Sequence, residues 1–147
     1  MSDQATSQAS QQSAEQARDD LELMSREVRD AISKEMPDAE WQLPESRRGG
    51  FSKASCDNSD PSKGNFAVYE ADMWNLPTSP DPETAKRIRA TVLRIAEAHG
   101  YTTATQDRKN GDRVMLDLSG PYPDSNFGFA YDDKIVLSGS IGCMRME

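Results

Sequence analysis

Few residues in this chain have the type and spacing to do chemistry, and its single histidine, His99, comes first. A catalytic base needs a nucleophile and an orienting carboxylate around it. No GxSxG elbow and no Ser-x-x-Lys frames a serine here. Gly139-Ser140-Ile141-Gly142 has flanking glycines, but it sits inside a strand pattern, the wrong setting for a nucleophile turn. His99 falls on the apolar stripe of a helix at its last turn, so it reads as a packed or capping side chain, with a catalytic base as the alternative. Metal chemistry is equally thin, because one histidine and two distant cysteines make a poor zinc set. Asp57-Asn58-Ser59-Asp60 offers oxygen ligands, yet Ser62 and Val68 stand where a calcium loop needs glycine and glutamate. That stretch is a turn. Phosphate cradles of the GxxxxGK[ST] or GxGxxG kind are absent. The sequence therefore points to no catalytic residues, no metal and no cofactor.

The two cysteines, Cys56 and Cys143, are 87 residues apart, unlike a CxxC redox pair or a local zinc site. A bridge between them would close a long loop and stabilise by ~4–5 kcal/mol on loop-closure entropy. Two independent buried thiols are the alternative. A staple would be useful, since Leu, Ile, Val and Phe total 22 of 147 residues and the net charge is −8. Part of the shortage has a simple origin. Residues 1–20 hold none of those 22 and are mostly Ser, Gln, Ala, Asp and Thr.

The acidic balance argues against a nucleic-acid partner, which needs a basic surface. Arg47-Arg48 and the basic side of the main helix are the local positive clusters, read as solvated faces or as an anion or partner contact. No apolar run is long enough to span a membrane. No signal peptide is visible.

These residues must be positioned by helices and strands, and the best-signed element is the helix from Asp81 to His99. Asp81 can cap its first turn, Pro82 suits the first helical position, and Gly100 can take the left-handed conformation that stops it. Ala85, Ile88, Val92, Ile95, Ala96 and His99 share one face. An earlier helix starts between Ala14 and Asp19 and carries Leu21, Met24, Val28, Ile32 and Met36 on a stripe, ending at Pro37. Alternation predicts a short strand over Ala39–Leu43 around Trp41, a turn or bulge over Arg47–Gly50, a weak strand over Phe51–Cys56 and another over Phe66–Ala71. Residues 57–65 read as a loop.

Beyond Gly100 the period is two. Strands are expected over Tyr101–Gln106, Arg113–Leu118, Phe127–Tyr131 and Lys134–Cys143, with Asn110-Gly111 as a hairpin signal. Phe127, Phe129 and Tyr131 share a face and, with Trp41 and Trp74, supply much of the core. Tyr122, between two prolines, is the aromatic expected to be exposed and to touch a partner. The fold class is α+β: a four-strand antiparallel meander plus one or two N-terminal strands, with both helices on one face. Residues 1–17 form a flexible polar tether and 18–147 a single domain.

The run Arg48-Gly49-Gly50 leading to Cys56-Asp57 follows the Trp41 strand, and Ile95 to Thr103 reads Ile-Ala-Glu-Ala-His-Gly-Tyr-Thr-Thr. A last strand closes on Ile141-Gly142-Cys143. Over Leu21 to Met144 this pattern resembles the LppA-like lipoproteins of mycobacteria and other actinobacteria. The resemblance implies a lipid-anchored domain outside the cytoplasmic membrane and carries over no catalytic residues. The anchor cysteine and signal peptide of such a protein are not in this chain, and Met1 is expected to stand where the lipidated cysteine would be.

The reading that follows is a monomeric, non-enzymatic binding or interaction module of the cell envelope, stapled by Cys56 and Cys143. Its partner is an unidentified protein or small ligand, touched by Tyr122, Arg47 and Arg48, with the membrane reached only through the lipid anchor. Two alternatives stand beside it. One is a small inhibitor-like or immunity protein in a stoichiometric complex with an enzyme. The other is a cytosolic adaptor, if no lipidation signal precedes the chain.

Overall fold

In a computed structural model, the chain is described over residues 14–53, 66–103, 108–110 and 113–145. Helix α1 spans Ala14–Glu35 and buries Leu21, Met24, Val28 and Ile32, the stripe its sequence lays out. It begins inside the stretch expected as tether, because Ala14 and Ala17 are themselves buried. Helix α2 spans Pro82–Ala98. Its Asp81 cap accepts from the Thr84 amide at 2.9 Å and from the Thr84 hydroxyl at 2.9 Å. Gly100 takes φ +83°, the left-handed exit for which glycine carries no Cβ penalty.

The Thr84 amide bond, followed by the Thr84 hydroxyl bond, holds the Asp81 carboxyl below its ordinary range. A folded-state value below the unfolded one stabilises above the unfolded pKa and is lost as pH falls through the folded one. Asp81→Asn, which keeps an oxygen for the cap but no charge, is expected to flatten the acid limb of the stability curve. Asp81→Ala should lower the melting temperature at neutral pH as well, as calorimetry across the acid range would read.

The strands are β1 (Gly50–Lys53), β2 (Phe66–Glu70), β3 (Asn75–Leu76), β4 (Thr102–Thr103), β5 (Arg108–Asn110), β6 (Arg113–Ser119), β7 (Asn126–Tyr131) and β8 (Ile135–Arg145). They form one antiparallel sheet in the order β1-β2-β8-β7-β6-β4, with β3 also on β8 and β5 also on β6. The expected meander is present: β4 falls within the strand expected over Tyr101–Gln106, β5 lies beyond it, and both pair with β6. Asn110 pairs with Arg113, while the turn at 111–112 lies outside the described residues.

Packing corrects the strand expected over Ala39–Leu43. The Trp41 segment makes a single bridge, Gln42 to Asn75, instead of a strand. Its indole N–H is drawn onto α1, donating to the Arg29 carbonyl at 3.2 Å and the Ser33 hydroxyl at 3.1 Å. Residues 45–47 form a 3-10 turn before β1. Just past Trp74, Asn75–Leu76 adds β3 to the sheet, and Leu76 is wholly buried.

Both helices cover one face of the sheet. Leu116, Leu118, Phe127, Phe129, Ile135, Leu137 and Ile141 point into that layer and join the helix stripes in a single core. This is the α+β arrangement the periodicities require: each stripe and each strand face is buried only against the other.

Candidate functional site

Three places on this frame gather groups that could act. The first is the seat of His99. Its Nδ1 lies 3.4 Å from Asp20 Oδ1, and its Nε2 contacts Glu27 Oε1. Both carboxylates come from α1, so the ring ties the end of α2 to the first helix. Asp20 uses its other oxygen to accept the Tyr122 hydroxyl at 2.8 Å. With both ring nitrogens facing carboxylates, neither is left to activate a hydroxyl. His99 is a latch.

Tyr122 is the clearest correction. It is half-buried and fastened to α1, not an exposed loop aromatic. Ser125, itself buried, holds the turn shut by accepting the Tyr122 amide at 3.1 Å and donating to the Tyr122 carbonyl at 2.9 Å. Behind this turn the Tyr101 ring is fully buried. It packs so closely that a Cβ on Gly120 would fall 2.3 Å from the ring, which is why glycine occupies that position.

Burial pushes the Tyr101 phenol up to about 12, with the Ser125 hydroxyl acting weakly the other way. Burial, then the bond to Asp20, raises Tyr122. Burial, then the bond to Glu22 at 2.5 Å, raises Tyr69. A raised folded-state value contributes stability below the ordinary tyrosine range and loses it as pH climbs through the folded value. Alkaline titration is therefore expected to show these three phenols ionising late and together with loss of near-UV dichroism. Smooth ionisation of all four tyrosines before any unfolding would contradict the packing.

The second place is the open face of the sheet. A groove of about 330 Å³ crosses it, floored by Gly128, Ala130 and Ser138 and walled by Met73, Met115 and Val136. Arg47 and Lys134 stand at its rim, with Asp117 also lining it. Arg47 reaches over the wall, its guanidinium 3.5 Å from the Met73 sulfur. Arg48 is exposed beside it. Arg47 thus borders a concave surface, whereas Tyr122 lies on the helix side. The three residues do not make one site.

The third place escaped the sequence reading. Arg29 of α1 stacks over the Trp74 ring, with the guanidinium carbon 4.1 Å from the ring centre. A cleft of about 400 Å³ opens beside them. Neither residue is in a recognisable motif, and they meet only because the segment before β3 folds under α1.

Cys56 lies outside the described residues. Cys143 belongs to β8. Among the described residues no group of three or more acidic, histidine or cysteine side chains could hold a metal, and no helix is long and apolar enough to cross a membrane.

Fold and surface define an α+β domain built on one open antiparallel sheet, with its core on the helix side. The chain belongs to the LppA family, described as a lipoprotein confined to pathogenic Mycobacterium, whose profile matches residues 2–147. The crystal structure of the lipoprotein LppA of Mycobacterium tuberculosis is similar, with TM-score 0.70 and 20% identity over 96% of this chain and 83% of that one. A DUF4853 family protein of Actinomyces odontolyticus shows weaker likeness, at TM-score 0.49 and 15% identity over 86% of this chain and 68% of that one. No curated protein matches the chain. The resemblance read from Trp41, from Arg48-Gly49-Gly50 leading to Cys56-Asp57 and from the late Cys143 is thereby established as family membership.

Proposed function

We propose that this protein is a non-enzymatic binding module held outside the cytoplasmic membrane by a lipid anchor, and that it works through the open face of its sheet. The observation that carries the reading is the division of the sheet. Both helices are spent on one face, and the other presents a concave, methionine-walled surface with a basic rim. Methionine walls adapt to varied apolar shapes. Arg47 and Lys134 add positive charge in a protein of net charge −8, which favours an acidic or anionic feature on the partner. Family membership supports the lipid anchor, and the Ser/Gln/Ala-rich composition of residues 1–13 suits a tether between membrane and domain.

The test places a photoreactive benzoylphenylalanine at Met115 in the groove or at Lys86 on the exposed side of α2, within cells of the source organism. Adducts from position 115 and not from 86, in the membrane fraction, are the expected result. Equal adducts from both positions, none from 115, or a protein found in the soluble cytoplasmic fraction would each defeat the reading.

A further inference from the structure

Met73 and Met115 line the groove on the open face, and neither is part of the core that the helices close over. Met24 and Met144 are buried, and Met36 packs against that core. A half-buried thioether on an outward surface is open to hydroperoxides, because its sulfur lone pairs are nucleophilic and within reach. Met73 has a neighbour that singles it out. Arg47 donates to its sulfur through Nη1 at 3.5 Å. Backbone bonds hold the two together: the Met73 amide donates to the Arg47 carbonyl at 2.8 Å, and the Gly49 amide donates to the Asp72 carboxylate at 2.8 Å. A Cβ on Gly49 would fall 1.8 Å from the Glu70 carbonyl oxygen, so the two segments are as close as a glycine allows. The cation and the thioether are thus clipped in place although 26 residues apart.

Sulfoxide formation is the chemistry such a neighbour assists. The sulfur lone pair attacks the near oxygen of hydrogen peroxide, and the O–O bond breaks. The far oxygen leaves with the bonding electron pair and takes the proton of the attacked oxygen, relayed through solvent. Sulfur loses two electrons, the peroxide gains them, and the products are the sulfoxide and water. A guanidinium has five N–H donors in a rigid fork, so one can rest on the sulfur while another donates to the departing oxygen. Negative charge developing on that oxygen is stabilised by a cation already in position, which keeps its own protons. One sulfur lone pair remains free for the attack. The sulfoxide oxygen is a far better acceptor than the thioether, and its bond to Arg47 is charge-assisted.

We infer that Met73 is a peroxide-reactive site primed by Arg47, and that its oxidation to the sulfoxide turns one apolar wall of the groove polar. The reactivity is a property of this protein alone. Its consequence for binding rests on the proposed function of the open face, and the two are read separately.

The test treats the whole protein with hydrogen peroxide and follows each methionine over time by peptide mass mapping. Met73 is expected to oxidise roughly three- to tenfold faster than Met115, with the buried Met24 and Met144 slowest. Arg47→Ala then separates priming from shielding. It uncovers the Met73 sulfur, so an arginine that only shields would give faster oxidation there. Priming instead gives oxidation roughly three- to tenfold slower, near the rate of Met115. Equal rates at Met73 and Met115 in the wild type, or faster oxidation of Met73 in Arg47→Ala, overturns the proposal. For the groove, Met73→Gln, polar like the sulfoxide, should cut benzoylphenylalanine adducts from position 115 roughly twofold or more, while Met73→Leu keeps them. Equal adducts in the two variants overturn the effect on binding. Absence of adducts from position 115 with Met73 intact defeats the groove reading instead, while the peroxide rates still decide the site.

Discussion

Phe129→Ala is expected to destabilise the fold by about 3–5 kcal/mol in urea unfolding, a large part of what a domain of this size has to lose. Phe129 stands in the middle of β7, with Leu116 of β6 and Leu137 of β8 directly opposite. All three are about 1% exposed and face the helices. Truncation removes the transfer energy of the ring and leaves a void that the sheet cannot close, because the backbone on both sides is held by ladder hydrogen bonds. The ring centres of Phe129 and Tyr131 are 5.6 Å apart, a contact also lost. The control is Ala130→Val, one residue on and facing the groove, where a change within about 0.5 kcal/mol is expected. A loss below 1 kcal/mol at Phe129 would place the core elsewhere.

The second large effect is assigned to Cys143→Ser. The proposed bridge would join Cys143 of β8 to Cys56, three residues beyond the end of β1. Lys53 of β1 pairs with Ala67 of β2, and Ala67 pairs with Met144 of β8. Lys53 is thus two strand spacings, roughly 10 Å, from the residue after Cys143. Cys56 follows Lys53 by three residues, and three residues of chain can span roughly 10 Å. A bridge here would lock β1, the sheet edge, to β8 at its centre. Removing it in protein made in an oxidising compartment should cost about 2–5 kcal/mol. Under reductant the wild type should fall to the level of the variant. Intact mass and a thiol count on the denatured wild type decide the premise: a mass two hydrogens low with no free thiol is expected. Two free thiols, or equal stability of variant and wild type, would remove the staple.

Much of the frame was legible because it is local. The α2 boundaries followed from Asp81, Pro82 and Gly100, each acting on a backbone group within a few residues of itself. The α1 stripe and the alternation in β6 and β7 identified the buried faces. Trp41 was misread because alternation over five residues cannot tell a paired strand from an extended segment whose aromatic ring packs on a helix. Tyr122 was misread for a related reason. Proline-flanked aromatics are common in exposed loops, and the bond that buries this one reaches back 102 residues to Asp20.

The candidate sites lie at the other end of that scale. Asp20 and Glu27 are 79 and 72 residues from the histidine they hold, on the polar side of a helix where sequence marks them only as solvated charges. Arg29 and Trp74 have no shared motif. The groove floor of Gly128, Ala130 and Ser138 is simply the small-residue half of two alternating strands until a fold leaves that half uncovered.

By itself, then, the sequence determined the two helices, their caps, the period-two strands, the thin acidic composition and the family these features belong to. Only the tertiary structure decided that β2 would pair with β8, that both helices would take the same face, and that His99, Tyr122 and Arg29 would meet their partners. Periodicity and capping are satisfied within a turn or a strand and leave their mark in adjacent residues. Pairing across the chain is chosen by which buried faces fit one another, and that choice is written in no single stretch.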